Sequence, residues 1–128
     1  MNSLRTTKDS IFGQAGGLEL EQPSKGQGYR FNVDPLLVAY LAPKSRRVLD
    51  LGAGCGVLGL SMLFKEKTKS VLALEVQESY QRLANKNANE NGLSERYRCD
   101  LGNVKDWQGE PCDLVLFNPP YFRLGEGR

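Results

Sequence analysis

The sequence predicts an α/β fold: a mainly parallel sheet with helices on both faces, preceded by a short β-hairpin region. Two stretches carry that expectation. Val48-Leu-Asp-Leu-Gly-Ala-Gly-Cys-Gly56 is an apolar strand that runs straight into a glycine loop. Asp113-Leu-Val-Leu-Phe-Asn-Pro-Pro-Tyr121 is a second apolar strand that breaks at a polar, proline-rich turn. Strand-like and helix-like patterns alternate between them, as βαβ units do. In an open parallel sheet ligands sit beyond the carboxyl ends of the strands, so both loops should open on the same side.

Taken in order, residues 1–10 are polar and expected to fray. From Ile11 to Val33 frequent glycines punctuate a loose alternation, with Leu18–Glu21 and Tyr29–Val33 as the expected strands. Asp34-Pro35 starts a helix, Asp as N-cap and Pro at its first position; Leu36, Leu37, Ala39, Tyr40 and Leu41 give it an apolar body, and Pro43 ends it. The first core strand is Arg47–Leu51, followed by the glycine loop and a helix from Val57 to Lys67. Ser70–Val76 reads as a second buried strand. A polar helix runs from Glu78 to Asn91, where Asn91-Gly92 is a good stop. Arg96–Cys99 is the third core strand and Cys112–Phe117 the fourth. Residues 1–33 thus form an extension and residues 34–128 the core.

With 128 residues, 40% of them apolar and 25% charged, the chain is sized and composed as one globular domain. A net charge of +2 argues neither for nor against a nucleic-acid partner. Cys55, Cys99 and Cys112 form no CxxC pair, so neither a disulfide frame nor a zinc site is expected, and reduced thiols suit a cytoplasmic protein. No leader or long apolar run suggests export or a membrane span. Histidine is absent, so the chemistry must proceed without the commonest general base.

Gly52, Gly54 and Gly56 are expected to leave backbone N–H groups bare at a helix start, where a ligand can approach the main chain. The spacing is GxGxG, not the GxGxxG of dinucleotide sites, because Val57 stands at the third glycine's place. Glu75 closes the next strand, where an acid accepts bonds from ribose hydroxyls; the alternative is a solvated carboxylate. Asp100 ends the third strand and could accept from an adenine amino group, or simply cap its loop. Asp50 lies inside an apolar strand and needs a partner, either the glycine-loop amides or an amine on the ligand.

Asn118-Pro119-Pro120-Tyr121 suits a poor nitrogen nucleophile. An exocyclic amino group on a base, or a side-chain amide, has its lone pair delocalised. The Asn118 oxygen and the Pro119 carbonyl can accept its hydrogens, localise the pair and aim it. Consecutive prolines fix φ and remove donors, and Tyr121 offers a face on which a flipped base can stack. A methyl on a sulfonium is already activated, so positioning, about 7–11 kcal/mol at best, can replace a strong base.

With both loops in hand, the chain resembles the class I S-adenosylmethionine-dependent methyltransferases, in the amino-methylating branch marked by Asn-Pro-Pro-Tyr. Gly28–Asp34 with Leu36-Leu37, Val48–Gly56, Asn87–Gly92 and Asn118–Phe122 look like the bacterial valine-tRNA adenine-N6 methyltransferases. The resemblance implies a Rossmann-like fold and S-adenosyl-L-methionine as cofactor, with tRNA as substrate. It assigns the cofactor to Asp50, Gly52, Ala53, Gly54, Gly56, Glu75, Val76, Asp100, Leu101 and Asn118. It assigns catalysis to Asn118, Pro119, Pro120 and Tyr121, and has Phe31 and Asp34 close over the methionine end. Lys25 and Arg30 are the better candidates for RNA contact; the Lys65, Lys67, Lys69 run reads as a solvated helix end.

Family members continue beyond the motif, whereas this chain stops at Arg128, as expected of a chain truncated after its fourth strand. Leu114–Phe117 should then present an apolar edge open to self-association or to a partner, and the acceptor pocket should be incomplete. The nearest alternative is a release-factor-type protein glutamine N5-methyltransferase, which resembles the chain from Val48 onward. A guanine-N2 rRNA methyltransferase and a non-catalytic cofactor-binding module are the others.

Overall fold

The computed structural model describes residues 5–12, 17–26, 30–31, 34–107, 109 and 111–117. In chain order the elements are β1 (Thr6–Ile11), β2 (Leu18–Pro23), α1 (Asp34–Leu41), β3 (Arg47–Leu51), α2 (Val57–Phe64), β4 (Ser70–Glu75), α3 (Glu78–Glu90), β5 (Tyr97–Leu101), a 3₁₀ turn at Val104–Asp106 and β6 (Leu114–Phe117). Strands β3 to β6 form a parallel sheet in the order β5-β4-β3-β6, and β1 and β2 pair separately and antiparallel. The α/β class and the parallel sheet are those the sequence predicts.

Register decides which side chains share a face. Val48 lies opposite Val71 and Leu114, and Asp50 opposite Ala73 and Leu116. With a period of two, these residues face the same way as Tyr97 and Cys99. That face packs against α2 and α3. Gly59, inside α2, makes the approach possible: a Cβ there would lie 2.8 Å from Val71 and 2.9 Å from Tyr97. Residues Val57 to Leu63 are all buried, because α2 lies between the sheet, α1 and β2. The helices expected on the opposite face are not among the described residues. There the connection carrying Trp107 and Pro111 borders a cavity with Leu49 and Leu72, and Val115 and Phe117 are 52% and 61% exposed. The outer edge of β6 pairs with no strand among the described residues.

Helix α3 buries Tyr80, Leu83, Ala84, Asn87 and Ala88, the spacing of a single helical stripe. It ends as predicted, with Gly92 at φ 71° and the Leu93 N–H donating to the Ala88 carbonyl at 2.8 Å. Its asparagines pair with strand edges. Asn85 accepts from the Cys99 N–H (2.9 Å) and donates to the Cys99 carbonyl (2.8 Å) on the edge strand β5. Asn87 does the same to Glu21 of β2 (2.8 and 2.8 Å), and Asn91 to Glu19 (3.0 and 2.9 Å). Side-chain amides two strand positions apart thus continue the ladder of β2.

Three expectations are corrected. Residues 6–10 are not frayed: they belong to β1, a largely exposed strand whose backbone pairs with β2 from Thr6–Pro23 to Ile11–Leu18. The partner of β2 is therefore the 6–11 segment. Arg30 and Phe31 lie in no strand, and residues 29, 32 and 33 fall outside the described residues. Helix α2 stops at Phe64, short of Lys67, because Glu66 takes φ 55° and the Lys67 N–H turns back to the Met62 carbonyl at 2.9 Å. No helix among the described residues is long and apolar enough to cross a membrane.

Candidate functional site

Strand order reverses at β3, with β4 on one side and β6 on the other, the place where ligands bind in open α/β sheets. A cavity of about 230 Å³ lies at that end of the sheet. Of the residues predicted from sequence it gathers Phe31, Asp50, Gly52, Ala53, Gly54, Glu75 and Val76. A larger cavity, about 680 Å³, abuts Arg47, Leu49, Leu72, Trp107 and Pro111 and contains none of the predicted residues. The smaller one is the candidate site, because acidic groups converge there.

The glycine loop owes its shape to backbone conformations that side chains resist: Gly52, Gly54 and Gly56 take φ of 73°, 57° and 92°. Its amides are not bare, contrary to expectation. The Gly52 and Ala53 N–H groups donate to the Leu74 carbonyl (2.9 and 3.1 Å), and that of Gly56 to the Ala53 carbonyl (2.9 Å). The Gly54 N–H donates to Glu75 Oε1 at 2.9 Å. Glu75 Oε2 accepts from the Gln77 N–H at 3.0 Å, so this buried acid binds the loop to the start of α3. Gly56 does not line the cavity. A Cβ on it would come within 3.1–3.3 Å of Tyr97, Leu60 and Ala84, which makes it a packing glycine.

Asp50 differs. It is 1% exposed, and its Oδ2 has no hydrogen-bond partner. The loop amides expected as its partners are engaged elsewhere. Burial pushes its carboxyl up to about 7, the nearby Glu75 carboxylate adds to the rise, and the Gly59 N–H at the start of α2 opposes it. Burial likewise pushes the Cys55 and Cys99 thiols up to about 12, leaving neither as a nucleophile at neutral pH.

The remaining predicted residues scatter. Asp34 opens α1, and it is the next residue, Pro35, that lines the cavity. Asp100 stays outside it, paired with Arg98 (Nε to Oδ1, 2.9 Å), and Leu101 is half exposed beside it. Arg30, a candidate for RNA contact, is turned inward, donating to the Pro23 carbonyl (2.6 Å) and to Thr7 (3.0 Å). Asn118, Pro119, Pro120 and Tyr121 lie outside the described residues. The chain enters that motif from Phe117, whose ring lies 3.8 Å from where a Gly52 Cβ would be. Sequence reasoning missed Gln77 and Tyr80 as cavity residues. Their signal was position: they follow Glu75 at the turn into α3.

The arrangement can hold a cationic ligand with hydroxyl donors. Two buried carboxylates face the cavity, no Lys or Arg among the described residues lines it, and the loop amides that would cradle a pyrophosphate are already bonded.

The family model of the methyltransferase small domain matches residues 33–127. The tRNA1(Val) (adenine(37)-N6)-methyltransferase of Aeromonas salmonicida is 29% identical over 100 residues, covering 76% of this chain and 42% of that protein. Pyrococcus horikoshii TYW2 in complex with MeSAdo matches with a TM-score of 0.68 at 21% identity, over 86% of this chain and 40% of that one. Mycoplasma capricolum TrmK in complex with S-adenosyl-homocysteine matches at 0.61 and 24%, over 70% and 41%. The chain thus spans less than half the length of these relatives. Fold and family model together define a Rossmann-like methyltransferase domain. Within that class the chain belongs to the methyltransferase small domain family.

Proposed function

We propose that this chain is the cofactor-binding part of an S-adenosylmethionine-dependent N-methyltransferase that acts on an exocyclic amino group, adenine N6 in tRNA. Residues 34–128 are its core and residues 1–33 an extension, whose strand β2 packs on α2 and α3. The observation that carries the reading is the cavity's charge: Asp50 and Glu75 are buried together with no cationic side chain among the described residues lining it. A buried acid with one oxygen unpartnered among the described residues, as Asp50 has at Oδ2, favours a positively charged ligand. S-adenosylmethionine brings a sulfonium, an ammonium and ribose hydroxyls. The tRNA assignment draws on the name of the Aeromonas relative and on the Asn118–Tyr121 motif. Such a cofactor and substrate meet in the cytoplasm.

When bound, the cofactor supplies an activated methyl group. Glu75 orients the ribose end while fixing the loop through Gly54, Asp50 neutralises positive charge, and Phe31 with the loop keeps water from that side. Asn118 and Pro119 would hold the acceptor nitrogen.

Calorimetric titration with S-adenosylmethionine, S-adenosylhomocysteine and NAD tests the cofactor class; the first two should bind and NAD should not. Transfer of labelled methyl to bulk tRNA, with release factor as the competing acceptor, tests the substrate. Binding of NAD alone would overturn the reading, and methyl transfer to release factor alone would replace adenine by glutamine.

A further inference from the structure

Two consecutive residues of β2 join the N-terminal hairpin to two walls of the cavity. At Glu21 the link runs through Asn87, 0% exposed. Asn87 accepts from the Glu21 N–H and divides its two donors between the Glu21 carbonyl (2.8 Å) and the Cys55 carbonyl (2.8 Å). At Gln22 the link is direct: Oε1 accepts from the Phe31 N–H at 3.1 Å. Cys55 and Phe31 both line the cavity.

The Gln22 amide is held in one orientation. Its nitrogen donates to Asp9 Oδ2 at 2.7 Å, an atom that accepts only, so the oxygen is the end turned to Phe31. Arg30 docks the same segment, 3.6 Å from Asp9 and bonded to Pro23 and Thr7. The β1–β2 ladder needs none of these bonds. A buried glutamine with both ends engaged is not needed to build a two-stranded hairpin, but it does fix where residue 31 stands.

We propose that Gln22 is a positioning residue for cofactor binding: its side-chain oxygen sets the Phe31 wall against the glycine loop, with Asn87 holding hairpin and loop in register. The proposal rests on the cofactor reading above and adds that the hairpin, remote from the motifs, shapes the site. Phe31 lines the cavity and would touch the ligand; Gln22 acts through it.

The test measures S-adenosylhomocysteine affinity by calorimetry and Phe31 amide exchange by NMR in the full chain. Gln22→Leu, which removes the Phe31 bond and leaves the ladder, should weaken binding about tenfold and speed Phe31 exchange. Gln22→Glu combined with Asp9→Asn reverses the donor and acceptor between the two side chains, keeps an acceptor for Phe31, and should restore both. Thr6→Val removes a different hairpin bond, Thr6 Oγ1 to Glu21 at 3.0 Å, and should lower Tm without altering affinity. Should Gln22→Leu not fold, Asp9→Ala frees the amide to turn and should weaken binding in the same direction. Unchanged affinity in Gln22→Leu or, failing that, in Asp9→Ala would overturn the proposal. So would an equal affinity loss in Thr6→Val at matched Tm. No binding by the unsubstituted chain would instead overturn the cofactor reading, while Phe31 exchange still reports whether Gln22 holds that segment.

Discussion

Three acids stand near the carboxyl ends of three neighbouring strands, Asp50 on β3, Glu75 on β4 and Asp100 on β5, and the two on the floor of the cavity differ from the third, which stands outside it on the rim of the sheet. On the floor Asp50 and Glu75 are buried. On the rim Asp100 is 41% exposed in an ion pair with Arg98. The two floor residues differ again: Glu75 accepts from two backbone amides, and Asp50 Oδ2 from nothing. A carboxylate at a strand end thus has three uses here. It can build a loop, keep a buried oxygen unpartnered among the described residues, or sit in water.

The sharpest way to break this contrast is Glu75→Ala. It removes two charge-assisted bonds to the protein, of about 1.5–3 kcal/mol each, together with the ribose acceptor. S-adenosylmethionine affinity should fall at least ~100-fold, and Tm should drop because the Gly54 and Gln77 amides lose their partner. Affinity within a few-fold of the parent, measured by calorimetry, would show that the loop keeps its shape without that acid.

Asp50→Asn should have the next largest effect, and a pH-dependent one. The folded carboxyl, raised to about 7, lies above its unfolded value of roughly 3.9. Its contribution to stability is therefore fully present below pH ~4 and is lost as pH rises through about 7. A rise of that size corresponds to ~4 kcal/mol. Glu21 and Asp113, both shifted downward by hydrogen bonds, act in the opposite sense and only at acid pH. Denaturant melts between pH 4 and 8 should slope downward for the parent, and Asp50→Asn should flatten that slope. An unchanged slope would mean that Asp50 is not the titrating group.

Cofactor binding refines the same point. A cation beside Asp50 favours its ionised form, so binding near pH 6 should release a proton and tighten as pH rises toward 7. Calorimetry in buffers of different ionisation heat reads the proton count directly, and the release should vanish in Asp50→Asn. A pH-independent affinity would place the cofactor's charge elsewhere.

How much of this was legible follows from how local each feature is. The glycine loop and Glu75 are written in contiguous text, strand then turn, and both lie at the cavity. The burial of Asp50 was legible too, as a charge in an apolar run. What its neighbours leave it was not, because the loop amides bond to Leu74 and Glu75 across the register with β4. Strand β1 was misread because its residues bury little and it exists through backbone pairing alone. The asparagines of α3 were read as part of a polar helix, as a helix stop at Asn91 and as part of the resemblance, without their structural partners. Their bonds reach 14 residues to Cys99 and 66 to Glu21, a separation that periodicity does not encode. Asp100 was nominated by its place at a strand end and by the resemblance, and what the text did not show was its exposed ion pair with Arg98.

That last residue gives the smallest effect and the cleanest control. Asp100 accepts from Arg98 at 2.9 and 3.3 Å, on side chains 41% and 70% exposed. Exposed pairs of this kind contribute about 0–1 kcal/mol. Asp100→Asn should therefore leave Tm nearly unchanged. Asparagine also keeps an oxygen able to accept from a ligand amino group, so the substitution removes charge and little else. If the rim takes no direct part, S-adenosylmethionine affinity should stay within about twofold. A tenfold loss would mean that Asp100 leaves Arg98 and turns toward the cofactor on binding, and the division between floor and rim would then belong only to the unliganded protein.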